Sequence, residues 1–117
     1  MGEEWKPLEA LDFWRRALVA SVRSGGPDLS ARQFSVLLTV YMTPPPHTVR
    51  GLAELLKVSK PAISRALDRL GMLGFARRKR DEADARNVLV VRTVKGAVFL
   101  WDFSDFIRDA ARPEISQ

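Results

Sequence analysis

The chain contains no cysteine, a single histidine and no long hydrophobic run among its 117 residues. Without cysteine it can form no disulfide, no thiolate metal ligand and no thiol redox sensor. The one histidine, His47, follows three prolines, whereas a structural zinc site needs about four ligands. No run reaches the roughly 18 apolar residues of a membrane span, and the acidic start lacks the basic and apolar regions of a signal peptide. We therefore expect a soluble, intracellular, metal-free protein with no membrane partner.

The sequence also lacks the motifs of the common enzyme classes. It has no glycine-rich phosphate loop, and no Ser or Cys nucleophile with a plausible histidine partner. It therefore predicts neither an enzyme nor a bound cofactor. A small-molecule effector is conceivable, but no residue pattern supports one.

Basic charge is concentrated in the middle of the chain. Residues 50–95 hold twelve Lys and Arg against five Asp and Glu, a net charge of +7, whereas the rest of the chain holds seven against nine, a net charge of −2. Such an asymmetry is typical of a protein that binds nucleic acid.

Apolar residues at helical spacing, bounded by capping and stop signals, predict five helices. They cover residues 7–24, the segment from Ser30 to just before Pro44, and residues 50–57, 60–73 and 94–111. Two strands, residues 75–80 and 87–93, flank a charged loop at 81–86, and 47–49 form a brief extended piece. The predicted fold is mainly α with a small β-hairpin wing, in one domain of residues 1–117.

The stretch 58–68 carries the most information. Ser59 can cap a helix, and Pro61 lies in the first turn, where its missing N–H costs little. One side of this helix is apolar, through Ile63, Ala66, Leu67 and Leu70. The other side is polar, through Lys60, Ser64, Arg65 and Asp68. With the short helix before it, this makes a helix-turn-helix whose polar side suits the major groove of DNA. An ordinary amphipathic surface helix is the alternative.

Three blocks of sequence resemble the winged helix-turn-helix of the MarR family of transcriptional regulators. They are residues 48–56, residues 58–70 with 73–75, and residues 77–86 closing with the Thr-x-x-Gly turn of 93–96. The segment that they span, residues 48–96, covers about two-fifths of the chain. Three features depart from the family pattern. Arg92 stands where Leu is usual, Gly71 replaces a better helix former, and the usual last dimerisation helix is missing.

The resemblance implies a homodimer on a pseudo-palindromic DNA duplex, with residues 48–93 as the DNA-binding lobe. It places the helix from Lys60 in the major groove and Arg86 at the minor groove, oriented by Asp84. A loose surface ion pair is the alternative for Asp84 and Arg86. Arg65 is our candidate for reading a guanine. The full set of predicted DNA-binding residues is Ser59, Lys60, Pro61, Ser64, Arg65, Arg69, Arg78, Arg80, Asp84 and Arg86.

The basic run 77–80 cannot point wholly at DNA, because side chains alternate along a strand. Protection of an edge strand against aggregation is the alternative role for these charges.

Apolar residues in the first and last helices predict a dimer interface, since a domain of this size cannot easily bury them all. The predicted interface residues are Trp5, Leu8, Leu11, Trp14, Phe99, Trp101, Phe103, Phe106 and Ile107. Helices 7–24 and 94–111 would form it, with burial in the protomer's own core as the alternative. The predicted function is a sequence-specific regulator of transcription, more readily a repressor than an activator. The alternative function is a winged-helix module that binds another protein and touches DNA weakly or not at all.

Overall fold

The computed structural model describes residues 4–112 and contains five α-helices and two β-strands within them. In chain order the elements are α1 (Pro7–Arg23), α2 (Ala31–Met42), α3 (Val49–Leu56), α4 (Lys60–Met72), β1 (Ala76–Arg80), β2 (Val88–Arg92) and α5 (Val94–Ala110). This is the predicted mainly helical fold with a hairpin wing. None of the helices in the described range is long and apolar enough to cross a membrane.

Hydroxyl side chains set where several helices begin. Ser30 accepts a hydrogen bond from the Gln33 backbone N–H at 3.0 Å, and the Gln33 side chain accepts one from the Ser30 N–H at 2.9 Å, so the two residues form a capping box. Thr93 caps α5 by accepting a hydrogen bond from the Gly96 N–H at 2.9 Å. Gly74 ends α4 with a positive φ of 78°, which glycine adopts without strain.

The third helix begins and ends one residue earlier than predicted. Thr48 caps it by accepting a hydrogen bond from the Gly51 N–H at 2.9 Å, which brings Val49 into the helix. At the other end Lys57 takes a left-handed conformation with a φ of 56°, so it terminates the helix instead of extending it. Thr48 also forms an isolated bridge with Leu89, and the His47 carbonyl oxygen accepts a hydrogen bond from the Val90 N–H at 2.9 Å, so two residues of the predicted extended piece pair with β2.

The described chain divides into two compact units. One comprises Leu29–Phe99, and the other comprises residues 4–28 and 100–112. The core of the first unit consists of buried side chains from α2, α3, α4 and the wing, chiefly Val36, Leu37, Val40, Leu52, Ile63, Leu70 and Val90. Phe99 stacks on Phe75 within it, with ring centroids 4.3 Å apart.

In the unit of residues 4–28 and 100–112, aromatic side chains meet edge to face. The ring centroids of Trp14 and Phe103 are 6.5 Å apart, and those of Phe103 and Phe106 are 5.7 Å apart. Arg16 donates a hydrogen bond to the Arg112 carbonyl oxygen at 3.2 Å. Ala17 and Ala110 are buried.

Candidate nucleic-acid interface

The helix-turn-helix is formed by α3, the turn at Lys57 and Val58, and α4. Ser59 caps α4 by accepting a hydrogen bond from the Ala62 N–H at 3.2 Å, as the sequence predicts. Pro61 lies in the first turn of α4 and is exposed. The Val58 N–H donates to the Ala53 carbonyl oxygen at 3.1 Å. These bonds fix the point at which α4 begins.

The apolar side of α4 is buried, as its spacing predicts. Its buried residues are Ala62, Ile63, Ala66, Leu67 and Leu70, none more than 5% exposed. On the other side Lys60 and Arg65 are exposed, and Ser64 and Arg69 are partly exposed. This helix is therefore anchored along one side and presents cationic and hydroxyl groups on the other.

The wing is the antiparallel hairpin of β1 and β2, in which Arg78 pairs with Val90 and Arg80 with Val88. Ala76 and Val90 are buried, so alternation places Arg78 and Arg80 on the inward face of the hairpin. Arg77 and Lys79 fall on the opposite face. The basic run thus divides between two faces, as the sequence predicts.

The tip of the wing is organised by carboxylates. Asp81 Oδ1 accepts hydrogen bonds from the N–H groups of Ala83 and Asp84, at 3.0 and 3.3 Å. Arg86 donates two side-chain hydrogen bonds to the Asp84 carboxylate, from Nε to Oδ1 at 3.1 Å and from Nη2 to Oδ2 at 3.2 Å. These side-chain bonds, helped by the Arg86 backbone N–H and the charge of Arg50, hold the pKa of Asp84 below its usual value. The Arg86 side chain remains 84% exposed in this geometry.

A second arginine joins the wing to α4. Arg78 Nη2 donates to Asp68 Oδ1 at 2.8 Å and to the Ser64 carbonyl oxygen at 2.8 Å. Both acceptors belong to one turn of the helix. The inward face of β1 is thus held to the middle of α4.

A cleft of about 230 Å³ opens between the start of α3, the start of α4 and the wing. Four cationic side chains line it: Arg50, Lys60, Arg78 and Arg86. Ser64 and Asn87 add hydrogen-bonding groups to the same wall. A cleft with this lining attracts anionic oxygens, because like charges held close together create a strong local positive potential.

The sequence of this chain matches the model of a known protein family. A model of the MarR family matches residues 29–88, which is just over half of the chain. The chain belongs to the MarR family. Members of this family are transcriptional regulators, in agreement with the sequence-based expectation that the chain is not an enzyme. No curated protein sequence gave a significant match.

Solved structures show the same fold as this MarR-family chain. The transcriptional regulator Tm0710 from Thermotoga maritima is 23% identical with a TM-score of 0.69, over 86% of this chain and 68% of that one. The regulator BldR from Sulfolobus solfataricus is 25% identical with a TM-score of 0.62, over 90% of this chain and 81% of that one. A mutant of MarR from E. coli, complexed with operator DNA, is 26% identical with a TM-score of 0.66, over 87% of this chain and 68% of that one.

The residues predicted to form the dimer interface of this MarR-family chain differ in exposure. Leu8 and Leu11 on α1 are 80% and 67% exposed, and Trp14 on the same helix and Trp5 just before it are also exposed. On α5, Trp101 is 73% exposed. Phe99, Phe106 and Ile107 are partly exposed, whereas Phe103 is 5% exposed. Phe103 can therefore pack beneath the exposed residues of such an interface, but almost none of its own side chain is accessible to a partner.

Three residues of the site escaped the sequence-based set. Arg50 and Asn87 line the cleft, and Asp68 holds Arg78. The capping pattern of Thr48 and Gly51 could have placed Arg50 in the first turn of α3. No local pattern predicts the other two contacts. Within residues 4–112 there is no cluster of His, Asp or Glu that could hold a metal ion.

Proposed function

We propose that this chain is a sequence-specific regulator of transcription that binds double-stranded DNA as a homodimer and acts as a repressor. One observation carries the proposal. Lys60 and Arg65 are exposed on α4, and the opposite side of this helix is buried in the core. The helix can therefore enter a groove of DNA while its core contacts stay in place. The complex of the E. coli MarR mutant with operator DNA supports the same use of the fold.

In this proposal α4 reads the major groove. Arg65 donates to O6 and N7 of a guanine, the most common specific contact of an arginine with DNA. Ser59, Lys60, Pro61, Ser64 and Arg69 lie along the same helix and contact bases or phosphates. Phosphate contacts position the protein on the duplex, whereas base contacts select the sequence.

The wing reaches the neighbouring minor groove in the same proposal. Arg86 supplies the inserted guanidinium, because a narrow minor groove concentrates negative potential. Asp84 orients it through the two side-chain bonds described above. Arg78 faces inward and lines the cationic cleft, which receives the DNA backbone that runs between the two grooves. Arg80, on the same face of the hairpin, contacts that backbone beside the cleft.

We further propose that residues 1–117 act as one winged helix-turn-helix domain, with 48–93 as the DNA-binding lobe and helices 7–24 and 94–111 for dimerisation. The exposed apolar surface of Leu8, Leu11 and Trp101 supports this, since exposed patches of large apolar side chains mark partner surfaces. Analytical ultracentrifugation without DNA should give about twice the protomer mass of 13.2 kDa. A 13.2 kDa species at micromolar concentration would contradict the homodimer.

The decisive experiment selects bound duplexes from a random-sequence pool. We expect a pseudo-palindrome whose half-sites are separated by about 10 bp, one turn of the DNA helix, because a two-fold symmetric dimer repeats its contacts at that spacing. A repressor bound to such a site in a promoter excludes polymerase in the prokaryotic cytoplasm, where we expect the protein to associate with the nucleoid. A reporter that rises when the protein is removed would identify repression.

The variant Arg65→Ala should weaken binding to the selected duplex by about 1–3 kcal/mol and relax the preference at one base pair. Arg32→Ala, which removes an equal charge from an exposed position on α2, is the matched control and should change little. Unchanged affinity and site choice for Arg65→Ala would contradict the role in base reading.

A protein-binding module is the second candidate function. The exposed apolar residues of α1 favour it, because a protein partner other than a second copy could cover them. The basic lobe argues against it. A gel shift with genomic fragments distinguishes the two, since DNA binding through phosphates falls steeply with salt. No shift at any salt concentration would favour the protein-binding module.

A further inference from the structure

An acidic side chain lies on the helix that the proposed function places in the major groove. Asp68 follows Ser64 by one helical turn, and its side chain is 66% exposed. A carboxylate on the side of a helix that faces DNA repels phosphates and by itself lowers the affinity for DNA. The side chain that it contacts suggests a role that offsets this cost.

The partner is Arg78, on the inward face of the wing. A single nitrogen, Nη2, uses its two hydrogens on Asp68 Oδ1 and on the Ser64 carbonyl oxygen, each at 2.8 Å. Because the two acceptors lie one turn apart on α4, they define one direction of approach for the guanidinium. The pair therefore fixes the strand β1 at one place along the recognition helix.

We propose that Asp68 is a positioning residue for DNA binding, which acts through Arg78 to set the wing relative to α4. The inference rests on the proposed function. A two-stranded hairpin is only marginally stable by itself, so its orientation depends on such contacts. With the wing fixed in advance, Arg86 and Arg65 can enter neighbouring grooves without the loss of freedom that a mobile wing would incur on binding.

The effect of removing the carboxylate has opposite signs in the two possible accounts. If Asp68 acts only as a negative charge, Asp68→Ala should tighten DNA binding. If it positions the wing, Asp68→Ala should weaken binding by about two- to fivefold, the range expected for an exposed ion pair. Alanine favours the helix, so the variant should remain folded.

The test compares four proteins on a duplex recovered by selection with the unchanged chain. Asp68→Ala should bind more weakly, and Asp68→Glu should restore at least half of the loss, because the longer carboxylate can still reach Arg78. Glu82→Ala, in the wing loop, removes the same charge from the same lobe and should bind equally well or more tightly. Hydroxyl-radical footprinting should show weaker protection at the wing in Asp68→Ala, while methylation protection of guanine N7 in the major groove persists.

Each outcome decides between the accounts. Tighter binding by Asp68→Ala, or an equal loss in Asp68→Ala and Glu82→Ala, would overturn the positioning role while leaving the proposed function intact. Uniform loss of both footprints would overturn it as well, because it would indicate a general defect of the lobe. Failure of the unchanged protein to bind any duplex would overturn the proposed function first, and this inference with it.

Discussion

Two helical glycines, Gly96 in α5 and Gly71 in α4, respond in opposite ways to the same substitution. Helix propensity alone predicts that alanine stabilises both, by up to about 1 kcal/mol. The structure separates them. A Cβ at Gly96 would collide with the Tyr41 hydroxyl and the Phe75 carbonyl oxygen, and it would lie 2.9 Å from the Phe75 carbonyl carbon. A Cβ at Gly71 meets only the Ala76 carbonyl oxygen, at an ordinary 3.9 Å.

The expected magnitude for Gly96→Ala follows from what has to move. Two of the obstacles are backbone atoms of Phe75, so the clash cannot be relieved by a side-chain rotation alone. Overpacking of this kind costs about 1–3 kcal/mol. Displacing the Tyr41 hydroxyl adds the loss of its bond from the Thr93 N–H, at 2.8 Å. After subtracting the gain in helix propensity, we expect a net destabilisation of about 2 kcal/mol.

Urea unfolding followed by circular dichroism, at one fixed protein concentration, measures both variants. Gly96→Ala should lower the urea midpoint, and Gly71→Ala should raise it by an amount equivalent to about 0.5–1 kcal/mol. An unchanged or raised midpoint for Gly96→Ala would refute the close approach at Thr93 to Gly96. A lowered midpoint for Gly71→Ala would show that the last turn of α4 needs glycine.

Three further predictions follow from single residues. Tyr41→Phe should destabilise the fold by about 1–3 kcal/mol in the same assay, because the Thr93 N–H loses its acceptor and the carbonyl oxygens of Phe75 and Thr93 lose the one hydroxyl hydrogen that they share. Lys57→Gly should stabilise it by about 0.5–1 kcal/mol, since glycine tolerates the left-handed conformation. Arg86→Ala should raise the pKa of Asp84 in a carboxyl NMR titration. Because Arg86 lowers that pKa, the pair stabilises the wing at every pH above the usual pKa of an Asp side chain. The stabilisation is lost as the pH falls through the lowered pKa of Asp84.

Local signals explain why so much of the fold could be predicted from the sequence. The caps at Ser30, Ser59 and Thr93 act within three residues, so each is visible as a short pattern. The buried stripe of α4 repeats with the period of the helix and needs no knowledge of its partners. Both signals are local, and the elements that they define are the ones that place the proposed DNA-binding groups.

Contacts between distant charged side chains could not be predicted in this way. Arg78 is among the predicted DNA-binding residues and stands in a basic run, whereas its bond to Asp68 joins a strand to a helix ten residues earlier. Nothing in the local spacing selects this partner over any other exposed carboxylate. Arg50 differs, since the local capping pattern of Thr48 and Gly51 could have placed it in the first turn of α3, where it lines the cleft.

The structure links Arg92, which departs from the family pattern, to the three prolines that follow α2. Arg92 stands where the family usually has Leu, and three prolines follow α2 much earlier in the chain. Prolines carry no N–H, so the segment after this helix cannot supply backbone donors to its last carbonyl groups. Arg92 supplies them from the wing, through Nε to the Val40 oxygen at 2.8 Å and Nη2 to the Thr43 oxygen at 3.0 Å. Its charge also complements the negative end of the helix, whose last turn contains no basic residue. A leucine at this position could pack against α2 but could not donate hydrogen bonds to its carbonyl groups. Arg92 therefore supplies the donors that the prolines lack, and its two hydrogen bonds hold β2 beside the end of α2.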